Sequence, residues 1–143
     1  AQLVLVGDGP LMPMVERRAR QRGVQGHVWF LGPRSDVPSL LQQADVMAFP
    51  SLHEGFPVAV IEARASSLPV VASELTQLKS GYAADPGCEL VDHRDHKCFA
   101  SALAGHLKER RRIPPAEEWL QSFSRDRSLH NLLSFYRESL GRS

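Results

Sequence analysis

A chain of 143 residues with 43% hydrophobic and 23% charged content is large enough for one domain with a buried core. Its formal net charge of +1 gives no general reason to expect nucleic acid as a partner. No apolar run approaches the roughly 20 residues a membrane-crossing helix needs, and the first residues lead straight into a core strand rather than a signal peptide, so the expected location is cytoplasmic. Cys88 and Cys98 lack metal-like clustering and read as free thiols of a reducing compartment.

In chain order, Leu3 to Val6 is a continuous apolar strand of the kind expected when both faces of a parallel sheet are covered. The abrupt start, with no cap or lead-in, reads as a piece cut from something longer. Gly7-Asp8-Gly9-Pro10 is a turn, and Leu11 to Arg22 a helix with Met14 and Val15 inward, closed by Gly23. Val28 to Leu31 is a second strand with Gly32-Pro33-Arg34-Ser35 as its exit loop. A short helix over 36–44 follows, capped by Ser35 or Asp36, and then a strand over 46–49. A helix begins at Pro57 and runs to about Ser67, and Leu68 to Ala72 is the next strand. The segment 73–87 is looser, 88–91 a short last strand and 99–110 a helix. One or two helices over 116–140 finish the chain, with Trp119, Leu120, Phe123, Leu129, Leu132, Leu133, Phe135 and Tyr136 as apolar anchors. This alternation predicts an α/β fold, a Rossmann-like parallel sheet with helices on both faces, divided into residues 1–113 and a C-terminal helical part at 114–143. Ligands of such sheets bind beyond the carboxyl ends of strands.

Three loops occupy strand exits, and the one ending in Glu54-Gly55-Phe56-Pro57-Val58 carries the most chemistry. Pro57 suits the first helical position, where its missing N–H has no intrahelical partner to lose. The free N–H groups of Gly55, Phe56, Val58 and Ala59 then surround the positive end of a helix, an arrangement that holds phosphate. Gly55 lets a ligand come close to the backbone. Glu54 at the mouth and Glu62 a turn and a half along the helix accept hydrogen bonds from hydroxyls. Phosphate and hydroxyls together describe a nucleotide sugar.

Val6-Gly7-Asp8-Gly9-Pro10, Phe30-Leu31-Gly32, Ala44-Asp45-Val46, Pro50-Ser51, Glu54-Gly55-Phe56-Pro57, Glu62-Ala63 and Leu68-Pro69-Val70-Val71-Ala72 occur in an order and spacing that resembles the C-terminal, donor-binding half of retaining GT-B glycosyltransferases of group 1 (family 4). The resemblance implies transfer of a sugar from a nucleotide-diphosphate donor, with retention and with no obligatory metal. It places Glu62 on the ribose hydroxyls, Glu54 as the catalytic candidate beside the donor sugar, and the backbone of Gly55, Phe56, Pro57 and Val58 around the diphosphate. It puts Gly32, Pro33 and Arg34 against the base, Gly7 and Gly9 at the border of the pocket, and Ser51 in the same donor-binding set. It also implies partners: an N-terminal acceptor domain and, before Ala1, a strand and helix carrying a basic pair, neither of which is in this sequence. The piece alone is therefore expected to bind donor at best. Two departures from the family pattern are local. Residues 74–79 replace a glycine-rich loop, and Ala65-Ser66-Ser67 ends the helix where a glycine is usual before Leu-Pro.

Several residues keep two readings. Arg34 is a phosphate or base contact or an ordinary loop arginine, Lys79 a replacement cation or a solvated lysine, and His53 a pocket or a plain loop residue. His93, His96 and His106 lack metal-ligand spacing, and Ser51 lacks a nucleophile elbow. The basic runs at 17–22 and 108–112 read as solvated helix faces, with peripheral contact to the inner face of an anionic membrane as the functional alternative. Rival functions are a nucleotide-sugar-binding subunit of a split transferase, a related GT-B epimerase or phosphorylase, and a domain that has lost its ligand. Loss of a first strand also exposes a sheet edge that invites pairing into a homodimer.

Overall fold

The fold comes from a computed structural model and is described for residues 1–75, 81–82 and 85–139, with the backbone alone at 137–139. Lys79 and most of the altered segment after Glu74 lie outside the described residues. The chain forms two compact units, Ala1–Ser39 and Leu40–Ser143.

In the first unit, β1 (Leu3–Leu5) and β2 (Val28–Phe30) pair in parallel, Leu3 with Val28, Val4 with Trp29 and Leu5 with Phe30. A parallel pair needs a crossover, supplied by α1 (Met12–Gln21). Gly23, at φ +67°, closes α1 as expected: its N–H reaches Arg20 O and that of Val24 reaches Ala19 O, both at 3.0 Å. Burial differs from expectation. Leu3, Val4 and Val6 are 42–46% exposed, Met14 and Val15 are exposed rather than inward, and Ala19 is the buried residue of α1. The physical reason is that a two-stranded ladder and one helix have too few layers to cover both faces of a strand.

The second unit is the α/β sandwich the alternation predicts. β3 (Met47–Phe49), β4 (Val70–Ser73) and β5 (Cys88–Val91) are parallel in the order β3-β4-β5, with β4 central and buried throughout. Pleating sends Val70 and Ala72 into a core with Val60, Ala63, Leu68 and Tyr82, and Val71 into another with Val91 and Phe99. Helices α3 (Val58–Ala65) and α4 (His96–Glu109) therefore cover opposite faces. The division between the units falls inside α2 (Val37–Gln43). α5 (Glu117–Ser122) and α6 (Arg125–Ser139) end the fold.

Boundaries move for local reasons. Pro57 is the residue before α3 rather than its first turn, and Ser66 and Ser67 form its cap. α4 starts three residues earlier than expected, because the Asp95 carboxylate accepts the N–H groups of Lys97 and Cys98. The C-terminal helix breaks in two at Phe123 and Ser124, where the Ser124 hydroxyl accepts the Arg127 N–H. Of the C-terminal anchors, Trp119 and Phe123 pack on the core while Leu129, Leu132, Leu133, Phe135 and Tyr136 are exposed. At the start of α2 the Asp36 carboxylate accepts Arg34 in a bidentate pair at 2.6 and 2.7 Å.

Two arginines organise the second unit. The Arg64 side chain is fully buried and clamps Asp85 through Nε (2.6 Å) and Nη2 (3.0 Å). Its other donors reach Leu68 O and Ile113 O, each at 2.7 Å. The segment expected to be loose therefore supplies Asp85 to a buried ion pair, together with buried Tyr82. A Cβ at Gly87 would overlap the Arg64 guanidinium, so only glycine fits there. Arg112, expected on a solvated face, donates instead to Leu41, Gln42, Ala44 and Ser66 carbonyls. Cys88 is buried, Cys98 exposed, and both are free thiols.

Candidate functional site

The turn between β3 and α3 is built from three anchors. Ser51 Oγ lies 2.7 Å from Glu54 Oε1 and donates to it, which holds the half-buried carboxylate at the start of the turn. Pro57 is buried at the other end, and Val60 behind it is fully buried. Between them Gly55 and Phe56 are exposed. Val58 does not offer a free N–H as expected, because it donates to Phe56 O at 2.9 Å. The N–H groups of Gly55, Phe56 and Ala59 have no protein acceptor among the described residues. They sit at the positive end of α3, where unpaired N–H groups and the helix dipole favour an anion. Glu62 lies one turn beyond Val58 on the exposed side of α3. Its carboxylate has no partner among the described residues, and the Ser66 hydroxyl donates to its backbone carbonyl (3.0 Å).

A third anchor comes from α5. Phe56 stands 6.0 Å from Phe123, centroid to centroid, and Phe123 stands 4.7 Å from Trp119 and 5.8 Å from Tyr82. The Trp119 indole N–H donates to Gly81 O at 2.8 Å. In the same unit, Ser73 Oγ at the carboxyl end of β4 and the Tyr82 hydroxyl are buried with no hydrogen-bond partner among the described residues.

Within the first unit the two glycine turns are joined. Gly7, at φ +113°, donates its N–H to Gly32 O at 2.8 Å, and Gly32 itself has φ +65°. Both conformations suit glycine and strain other residues. Asp8, Gly9, Pro33 and Arg34 are exposed. Hydrogen bonding to Asp36 raises the Arg34 pKa and lowers that of Asp36, so any ligand contact by Arg34 competes with a solvent-screened ion pair.

Sequence reasoning gave no role to Arg64 or Asp85, put Arg112 in a solvated basic run, and named Phe123 only as an apolar anchor. His106, read as lacking metal-ligand spacing, has Nε2 3.2 Å from Glu89 Oε2 beside an open groove between β5 and α4. Among the described residues no three His, Cys, Asp or Glu side chains converge as metal ligands, and no helix is long and apolar enough to cross a membrane.

A parallel α/β sandwich with unpaired N–H groups in a turn beyond a strand's carboxyl end belongs to the α/β class whose ligands, where they have them, sit at that end of the sheet. Comparison with known proteins sharpens that class. The family model described as Glycosyl transferases group 1 matches residues 1–109, and the chain belongs to that family. D-inositol 3-phosphate glycosyltransferase of Corynebacterium urealyticum is 33% identical over 146 residues, covering 94% of this chain and 34% of that protein. Sucrose-phosphate synthase of Thermosynechococcus elongatus superposes with a TM-score of 0.84 at 24% identity, over 99% of this chain and 39% of that one. Anabaena Alr3699/HepE, solved in complex with UDP, gives 0.71 at 22% identity, over 79% and 33%. The fold is that of GT-B glycosyltransferases, and the chain spans somewhat over a third or less of these relatives' length.

Proposed function

We propose that this chain is the donor-binding part of a retaining glycosyltransferase that takes its sugar from a nucleotide diphosphate. The observation that carries the reading is the turn Glu54 to Val58, with three acceptor-free N–H groups at the start of α3 and a carboxylate at either side. Family membership supports it, as does the UDP held by the Anabaena protein of the same fold.

In this mechanism the diphosphate rests on the Gly55, Phe56 and Ala59 N–H groups, with Pro57 and Val58 fixing the turn. As the bond to the sugar breaks, negative charge gathers on the diphosphate. Fixed N–H dipoles stabilise it there without reorganising. Glu62 accepts hydrogen bonds from the ribose hydroxyls. Glu54, oriented by Ser51, faces the donor sugar. By family resemblance, Gly32, Pro33 and Arg34 are assigned to the base and Gly7 and Gly9 to the border of the donor pocket. No protein metal ligand takes part in any of these steps.

Residues 1–113 constitute the donor part and 114–143 the C-terminal helices. The acceptor site belongs to a partner domain, so the piece alone binds donor without turning it over. The intact enzyme works in the cytoplasm; contact of the exposed basic face at 17–22 with the inner face of the membrane is the alternative to a simply solvated face. The half-exposed β1 edge pairs two copies of this chain; a strictly monomeric mass at high concentration would sink that pairing.

Calorimetric titration with UDP, GDP, ADP and their sugars, beside Glu62→Ala, tests the donor site. Saturable binding of one nucleotide, weakened in the variant, is the expected result. Binding of equal strength in Glu62→Ala would remove Glu62 from the site, and no binding of any nucleotide would overturn donor binding by this chain.

A further inference from the structure

Gly55 gives the donor turn little stiffness of its own, so the aim of its N–H groups depends on what holds the neighbouring residues. Pro57 is held by burial and Glu54 by Ser51. Phe56 is mostly exposed, yet its ring leans on Phe123 with planes tilted by 57°. Phe123 is not a loose partner. It packs against the core under β4, stacks on buried Tyr82 at 27° and meets Trp119 at 65°. Trp119 is itself fixed by its bond to Gly81 O and by an edge contact to Tyr82 at 5.6 Å. A continuous aromatic chain thus runs from the core through α5 to the turn.

We propose that Phe123 is a positioning residue: α5, through Phe123, braces Phe56 and so aims the turn's free N–H groups at the nucleotide diphosphate. The part concerning the nucleotide rests on the donor-site reading of this turn. Because coupling between two sites is reciprocal, bound diphosphate steadies α5 to the same degree that α5 favours binding.

The test compares the chain with Phe123→Ala, Phe56→Ala, the double variant and Phe123→Tyr. Two readouts are taken: UDP affinity by calorimetry, and amide exchange at residues 55–59 against 70–73 in β4. The expected loss of UDP affinity is roughly three- to tenfold in each Ala variant, the range an aromatic pair supports. The double variant is no weaker than the poorer single one, and Phe123→Tyr restores binding. Exchange at 55–59 speeds up while β4 stays protected. Unchanged exchange at the turn in Phe123→Ala, or losses of affinity that add, would overturn the brace. If Phe123→Ala fails to fold, Phe56→Ala, at an exposed ring, decides by the same two readouts. If the unaltered chain binds no UDP, the donor reading falls separately, and exchange at 55–59 alone upholds or overturns the brace.

Discussion

Ser67 stands at φ +57°, where a side chain is strained and glycine is not. Its N–H reaches Arg64 O at 2.8 Å and the Leu68 N–H reaches Ala63 O at 3.0 Å, the pair of bonds that closes a helix through a left-handed residue. The sequence marks this position, since a glycine is usual before Leu-Pro in the family it resembles, and the fold keeps the glycine-type backbone with a serine in it. Ser67→Gly is expected to raise stability by roughly 0.5–1 kcal/mol, read as a higher urea midpoint; an unchanged or lower midpoint would show that the strain is relieved elsewhere. Arg64 and Asp85 are the opposite case. They lie 21 positions apart in a helix and in a stretch that reads as loop, so no local pattern joins them. Their link exists only because both side chains are folded beneath the same core, which no spacing rule reaches. Removing one partner strands a buried charge, and Asp85→Ala is expected to cost about 3–5 kcal/mol. A loss under about 1 kcal/mol in chemical denaturation would mean that water or another group replaces the carboxylate.

At the level of elements, hydrophobic period and turn residues located β3, α3, β4, β5, α4 and the C-terminal helical part, but capping chemistry set their ends. Asp95 lengthens α4 and Ser124 splits the C-terminal helix, both through side-chain bonds that period alone does not show. The candidate turn was legible because Gly, Pro and two glutamates concentrate within nine residues. Its brace was not, because Phe123 lies 67 positions away. Arg112 shows how a basic run misleads. Its guanidinium gathers carbonyls at the end of α2 and at Ser66 behind α3, where the negative helix ends attract a cation. Several charge-assisted bonds on one group predict that Arg112→Ala loses roughly 1.5–3 kcal/mol, most of it unrecovered by Arg112→Lys, whose single ammonium cannot span both ends. Equal stability of the Lys variant and the unaltered chain would show that charge, not the forked geometry, is what counts.

For the molecule as a whole, strand–helix alternation was enough to fix a parallel α/β fold, because a strand buried on both faces, as β4 is, leaves an unbroken apolar run. What it overestimated was burial in the first unit, where an apolar run guarantees a strand but not its cover. The core under β4 also sets how stability depends on pH. Burial, followed by the nearby Asp85 charge, pushes the Cys88 thiol from 9.0 to about 11. Burial, followed by Cys88, pushes the Tyr82 phenol from 10.0 to about 12. Above about pH 9 the unfolded chain releases the thiol proton while the folded chain keeps it, so the unfolded state binds fewer protons and stability falls as pH rises. The contribution is complete below pH 9 and is lost through pH 9 to 11 for Cys88 and 10 to 12 for Tyr82. Urea midpoints measured between pH 7 and 11 should therefore be level at first and then decline. Cys88→Ala should flatten the first part of that decline and Tyr82→Phe the later part. A decline equally steep in both variants would place its origin in other groups and leave this core without a role in alkaline unfolding.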